Sequence, residues 1–310
     1  MPQNKFSITD IPGKGKGLVA TRPIAKGELV LAETPLFTIP TNLHSGKMII
    51  EQLLTLTPDQ LEEYSTMTNA HENLGLHPAV GIFETNQYPC GNHDPEQGDF
   101  APMTGYSPTA SRINNDCRPN INNYWNNRAQ QIHFHAVRDI APGEELCVSY
   151  LDVLTRPTKK DRAEMFKKTS NFECKCSVCS LTGEELRASD TRRATIARIH
   201  NDLGECWTKP EAAIKKCRLA LRLMELEGIK NRFGDGFYCD GYRFCIAYGD
   251  VENARAWAKL AWEGHTRCRG ADSEEAQEAE KWYKFPANCK LYARLGKRTV
   301  GGPDPEPIKT

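Results

Sequence analysis

The residues best able to do chemistry lie in "NFECKCSVC", where Cys174, Cys176 and Cys179 form a C-x-C-x-x-C cluster. Zinc takes four soft ligands at the corners of a tetrahedron, and loops this short bring several thiolates to one point. Three ligands leave one corner open. A distant cysteine can fill it, and Cys117, alone in "SRINNDCRPNINNYW", is the candidate. That asparagine-rich stretch is too polar for a core strand and too irregular for an amphipathic helix. Asparagine tolerates left-handed backbone and bonds to nearby main chain, so the run reads as a rigid, hydrogen-bonded loop. A further reactive group is the phenol of Tyr150, which ends the β-type run "EELCVSY".

Composition limits what these groups can serve. At 310 residues the chain is long enough for two domains with separate cores. Forty basic and forty acidic residues cancel, so no global field draws in nucleic acid or an anionic membrane. No apolar run approaches the roughly 18–20 residues of a membrane span. The start, "MPQNKFSITDIPGKGKG", has no apolar signal core, so the expected location is cytoplasmic, nuclear or both. Twelve cysteines would suit a disulfide scaffold only in a small exported chain. Cys90, Cys147, Cys206, Cys217, Cys239, Cys245, Cys268 and Cys289 lack ligand spacing and read as small core residues.

The elements that must position the reactive groups fall into two regimes. From Phe6 to about Tyr150, β-type runs such as "GLVATRPI", "GELVLAE", "PLFTIP" and "IHFHAVRDI" alternate with Gly/Pro punctuation. They are interrupted at about 45–80 by helical spacing, with Thr57 as a cap and Pro58 in the first turn. After Leu181 the pattern is helical, as in "EAAIKKCRLALRLMELEGI" and "DVENARAWAKLAWEGHTRC". Such helix pairs suggest tetratricopeptide-like stacking without a clean repeat. The expected organisation is a β-rich domain over 1–155, a metal segment over 156–180, a helical domain over 181–300 and a disordered tail over 301–310.

The order of the pieces carries a resemblance. "GKGKGLVATRPIAKGELVLAE", "SRINNDCRPN", "APGEELCVSYLDV" and "NFECKCSVC" follow one another as in SET-domain proteins. The chain resembles the SMYD-like group and its fungal relatives, without the MYND zinc finger. This resemblance implies an α+β class: a β-rich SET fold with a pseudoknot and helical insert, a zinc-bound post-SET segment and an all-α C-terminal region. It implies an S-adenosylmethionine-dependent protein-lysine N-methyltransferase acting on a protein or peptide, and a monomer. The zinc it implies is structural, held by Cys117 with Cys174, Cys176 and Cys179.

The implied donor site follows residue by residue. Lys14, Gly15, Lys16 and Gly17 match the family's cofactor-contacting turn, and Asn86 matches an asparagine before the donor pocket. Ser111, Arg112, Ile113, Asn114 and Asn115 match the segment that holds the donor's amino-acid part and adenine. Phe172 matches an aromatic ring stacked on adenine, and Tyr150 matches the catalytic tyrosine. The family reaction is an in-line displacement in which orientation supplies much of the rate.

Two departures bear on activity. The family loop reads N-H-S-C or N-H-D-C, whereas this chain has Asn115 in place of the histidine. Two positions before Phe172, Ser170 replaces an aromatic residue that lines the lysine channel in relatives. Two alternatives therefore stand beside methyl transfer: a SET-fold binding scaffold, and a donor pocket turned to a small-molecule reaction.

Overall fold

The computed structural model describes residues 4–91, 101–152 and 154–304. Strands β1 (Phe6–Ile11) and β2 (Gly15–Ala20) form a hairpin in register from Phe6↔Ala20 to Ile11↔Gly15. Its turn needs glycine, because Gly13 and Gly15 adopt φ of 75° and 74°. Strands β3 (Leu29–Glu33) and β4 (Phe37–Pro40) lead into the helical insert, α1 (Gly46–Leu53), α2 (Pro58–Ser65) and α3 (Pro78–Asn86). The start of α2 is the expected one. Thr57 and Gln60 form a reciprocal capping box and Pro58 occupies the first turn. The insert runs on to Asn86, past the expected end near residue 80, and its core joins Tyr64 and Phe83 to Phe37 and Tyr106.

Six further strands complete three small sheets. These are β5 (Gln87–Cys90), β6 (Met103–Tyr106), β7 (Asn114–Asn115), β8 (Ile121–Asn126), β9 (Gln131–Ala136) and β10 (Glu145–Val148). The strand orders are β1-β2-β10-β7, β3-β9-β8 and β4-β6-β5. The parallel pairing of β7 with β10, Asn114↔Cys147 and Asn115↔Val148, lays the asparagine loop along the strand that leads to Tyr150. Strand β8 escapes the sequence pattern because "INNYWN" buries asparagines where a strand usually buries apolar residues. Asn122 Nδ2 donates to the Cys268 carbonyl at 2.7 Å, and Asn126 Nδ2 donates to Asp272 Oδ2 at 2.7 Å.

Those bonds join the sheet to the helical part, which comprises α4 (Lys159–Thr169), α5 (Gly183–Leu203), α6 (Pro210–Leu226), α7 (Lys230–Phe233), α8 (Asp235–Ala247), α9 (Val251–Arg269) and α10 (Glu274–Lys284). Helix α8 has no apolar stripe to read because ten of its thirteen residues are buried, so nearly every face is covered. Gly241 lets it approach α9, since a Cβ there would fall 2.4 Å from the Trp257 ring.

A second tie reaches the metal loop. Buried Glu227 accepts from Ser189 Oγ at 2.9 Å, Arg192 Nε at 2.6 Å and Arg193 Nε at 2.7 Å. Arg193 in turn donates to the Cys117 carbonyl at 3.1 Å.

The chain end differs from the disordered tail expected over 301–310. Trp257 Nε1 donates to the Gly301 carbonyl at 3.0 Å, Arg218 donates to the Gly302 carbonyl, and Asp304 pairs with Arg222. Donors on α6 and α9 thus hold residues 301–304, and residues 305–310 lie outside the described ones. No helix of the described residues is long and apolar enough to cross a membrane.

Candidate functional site

The four cysteines singled out by spacing converge. The sulfurs of Cys117, Cys174, Cys176 and Cys179 all lie within 4.8 Å of one another, and Cys117 Sγ is 3.6 Å from Cys179 Sγ. A tetrahedral zinc with bonds of about 2.3 Å requires sulfurs about 3.8 Å apart, so the spacing suits that ion. Mutual hydrogen bonding, first from Cys117 and then from Cys174 and Cys179, drives the Cys176 thiol far below the ordinary thiol range. Arg162 gives a second sign of fit. It is 1 % exposed, and its Nε and Nη2 find no close hydrogen-bond acceptor, so that the guanidinium is left facing the Cys179 sulfur. A buried cation left short of partners suits a tetrathiolate ion, whose net charge is negative. These four cysteines would fill the coordination sphere of a bound zinc, which is the pattern of a structural site.

The asparagine loop connects this cluster to the strand before Tyr150. Asp116 N–H donates to the Val148 carbonyl at 2.8 Å, while Asn120 accepts from Cys147 N–H and donates to the Glu145 carbonyl, each at 2.8 Å. Asn115, 6 % exposed, accepts from Tyr150 N–H at 2.9 Å and donates to Cys174 Sγ at 3.3 Å. Asparagine suits the crossing because each amide both donates and accepts, so it can close main-chain bonds that no regular ladder supplies.

Tyr150 is 45 % exposed as a residue, but its hydroxyl turns inward and donates to the Ile113 carbonyl at 2.7 Å. Burial of that hydroxyl, with Cys147 and Glu145 nearby, raises its pKa and keeps it protonated. Phe172 meets Tyr150 edge-on with centroids 6.2 Å apart, and packs on Phe166 at 4.7 Å. Ser170 ends α4, and Asn171 takes φ of 47°, a left-handed turn that carries the chain into Phe172.

The other expected donor-site residues divide. Lys14 and Asn114 come together through Glu145, whose two oxygens accept from Lys14 Nζ at 2.7 Å and Asn114 Nδ2 at 2.9 Å. Asn114 Nδ2 also reaches the Lys16 carbonyl at 3.2 Å. Gly17 must be glycine, because a Cβ there would lie 2.8 Å from that amide. Gly15 faces open space. Ser111 and Asn86 are linked by a 2.7 Å bond from the serine hydroxyl to the Asn86 carbonyl. The Asn86 side chain, however, donates to the Thr68 and Ile82 carbonyls inside the insert. The Arg112 guanidinium likewise points to the insert, donating to Thr66 Oγ1 at 3.0 Å.

Sequence reasoning missed Glu145 and Tyr88. Glu145 stood in the quoted motif "APGEELCVSY" without a role. Tyr88 donates to the Ala110 carbonyl at 3.1 Å, and its pKa is raised well above normal by burial and then by Tyr150 and Glu33. Nothing in "QYPC" beyond a lone aromatic could have flagged it. Beside Tyr150 opens a cleft of about 480 Å³. Asn123, Ser149 and Asp152 line one wall, and Arg232, Asp235 and His265 of the helical part line the other.

Comparison with known proteins gives this geometry a family. A model of the SET domain matches residues 15–151. Over 288 residues, 92% of this chain, the sequence is 31% identical to histone-lysine N-methyltransferase set5 of Schizosaccharomyces pombe, and covers 86% of that protein. The chain belongs to the SET-domain family. Shorter matches place it near two other SET proteins. It is 30% identical over 144 residues to potential protein lysine methyltransferase SET6 of Saccharomyces cerevisiae, spanning 45% of this chain and 35% of that protein. It is 36% identical over 124 residues to human histone-lysine N-methyltransferase SMYD3, spanning 36% of this chain and 27% of that protein. As a SET protein it keeps the α+β architecture with a C-terminal helical part, and its four clustered cysteines are compatible with zinc.

Proposed function

We propose that this SET protein is an S-adenosylmethionine-dependent protein-lysine N-methyltransferase. The observation that carries this reading is the peptide unit between Ile113 and Asn114. Its carbonyl side accepts the Tyr150 hydroxyl, and the next side chain is the Asn114 amide beside the glycine turn. The phenol and the turn assigned to the donor therefore share one short, doubly anchored segment.

S-adenosylmethionine supplies an electrophilic methyl group on a sulfonium. The turn of Lys14–Gly17, open at Gly15, and the Asn114 amide would hold the donor, and Glu145 fixes both by binding Lys14 and Asn114. Tyr150 stays protonated and spends its proton on Ile113, which leaves its oxygen lone pairs free to accept from an incoming amine or a polarised methyl. The substrate lysine would enter from the cleft, whose far wall belongs to the helical part. Its amine must arrive neutral and aligned, so the rate comes from orientation and exclusion of water rather than from a catalytic base. Tyr150 and Phe172, edge-on to each other, would supply aromatic walls where Ser170 cannot. The named activities of relatives direct the choice of substrate to histones or other proteins.

The test is a calorimetric titration with S-adenosylmethionine, followed by transfer of radiolabelled methyl to histones and to a protein lysate. Donor binding with label recovered on lysine is expected. No donor binding would assign the protein to the scaffold alternative, and binding with label only on small molecules would assign it to a different acceptor.

A further inference from the structure

Asn115 stands where two separately built parts of the site meet. Tyr150 lies beyond the end of β10, so no strand partner receives its backbone N–H. Asn115 Oδ1 takes that N–H at 2.9 Å, and Ile113, two residues earlier, takes the phenol hydroxyl at 2.7 Å. Tyr150 is thus held at both ends by one three-residue segment. The other end of the same amide donates to Cys174 Sγ at 3.3 Å, so the plane that fixes Tyr150 is itself fixed by the thiolate cluster. An N–H donor to an anionic sulfur is a charge-assisted bond, stronger than one to a neutral thiol.

We infer that Asn115 is a positioning residue that ties Tyr150 to the cysteine cluster, so that the Asn115 amide fixes the orientation of the catalytic phenol against the loop of Cys174. The inference rests on the role proposed for Tyr150. It fits the chemistry of the side chain, since a buried asparagine can accept on one side and donate on the other without charge. Aspartate would keep the acceptor but place a second anion beside the thiolates. Leucine would do neither. Histidine, one ring nitrogen donating and the other accepting, can do both.

The full chain loaded with cobalt(II) in place of zinc reads both ends of the tether. One end appears in the thiolate-to-cobalt charge-transfer bands, and the other in ¹⁹F NMR of 3-fluorotyrosine-labelled protein. The Tyr150 resonance is assigned by its loss in Tyr150→Phe. In Asn115→Leu the charge-transfer bands should move to lower energy, because the sulfur loses its N–H donor, and the Tyr150 resonance should shift or broaden. The kcat for methyl transfer should fall at least tenfold, with the donor Kd changed less than twofold. Asn115→His should restore both spectra toward wild type and recover part of kcat.

A Tyr150 resonance unmoved in Asn115→Leu, or moved while the cobalt bands stay in place, would overturn the tether. If Asn115→Leu does not hold cobalt, Asn115→His decides: recovery of both spectra supports the tether, and a native cobalt spectrum with a displaced Tyr150 resonance refutes it. If the wild type transfers no methyl group, the proposed function fails while the two spectra still decide whether Asn115 links the cluster to Tyr150.

Discussion

Removing the Glu227 carboxylate should loosen the helical part and the metal loop together. Glu227 is fully buried and serves three donors, of which Arg193 is also fully buried. Arg193 already has one terminal nitrogen, Nη1, without a partner. In Glu227→Ala that guanidinium would keep only its bond to the Cys117 carbonyl, an uncompensated charge out of water. Breaking a buried pair in this way typically costs about 3–5 kcal/mol. At roughly 2–4 °C per kcal/mol for large single chains, Tm should fall by roughly 6–20 °C. Glu227→Gln keeps the shape and one acceptor, so it should lose about 1.5–3 kcal/mol, the worth of hydrogen bonds to a charged group. Replacing both partners by apolar residues, Arg193→Met with Glu227→Leu, should recover most of the loss.

The same residue gives an acid signature. Burial pushes the Glu227 carboxyl up, but Arg193, Arg192 and Ser189 outweigh it and hold its pKa below the ordinary 4.5. A carboxylate so depressed contributes stability that is fully present above pH 4.5 and is lost as pH falls toward the folded value. Urea unfolding from pH 7.5 to 4, with zinc present, measures both effects. The reasoning is refuted if Glu227→Ala costs less than about 1 kcal/mol, or if Glu227→Gln leaves the acid slope unchanged.

Other outcomes follow from the same geometry. The purified protein should hold one zinc per chain, and Cys174→Ser or a strong chelator should unfold the segment that carries Phe172, because structural zinc binding is folding free energy; elemental analysis and near-ultraviolet circular dichroism measure the two effects. Tyr150→Phe should lower kcat about 100-fold or more while leaving the donor Kd nearly unchanged, as in removal of a single polar group at a reacting centre; stopped-time radiolabel assays and calorimetry separate the two terms. His133 and His135 are buried with unpartnered Nε2 atoms, and burial holds both pKa values below 6.5. The unfolded chain therefore takes up these protons first, so stability should drop as pH falls below 6.5, and a His135→Gln variant should flatten that slope in urea titrations.

The sequence made legible those features that depend on local spacing. Three cysteines within six residues announce a metal loop, Thr57 and Pro58 announce a helix start, and β-type runs set off by Gly and Pro announce β3, β4 and β9. It concealed features whose meaning depends on what lies across the fold. Helix α8 has no polar face because α6 and α9 both cover it, so its pattern is neither helical nor strand-like. Strand β8 buries Asn122 and Asn126 because the chain between Cys268 and Asp272, more than a hundred residues later, offers partners for their amides. The tail "GGPD" looks like disordered composition, yet the donors of Trp257 and Arg218 bind its carbonyls.

The asparagine loop shows both sides of that boundary within fifteen residues. Its rigidity was readable, since short polar side chains in a proline-bearing run compete for nearby main chain. What the rigidity holds was not readable, because each amide spends its bonds on a different distant element. Asn114 binds the glycine turn and Glu145, Asn115 binds Tyr150 and Cys174, Asn120 binds β10, and Asn122 binds the last turn of α9. In the sequence, Asn115 in place of the family histidine is only a departure that bears on activity. In the structure it is a neutral group with a donor and an acceptor on opposite sides, both satisfied, joining Cys174 of the metal loop to the backbone N–H of Tyr150. A residue chosen for geometry rather than for titration suits that place, since a protonated imidazole would lose its acceptor and release the Tyr150 N–H.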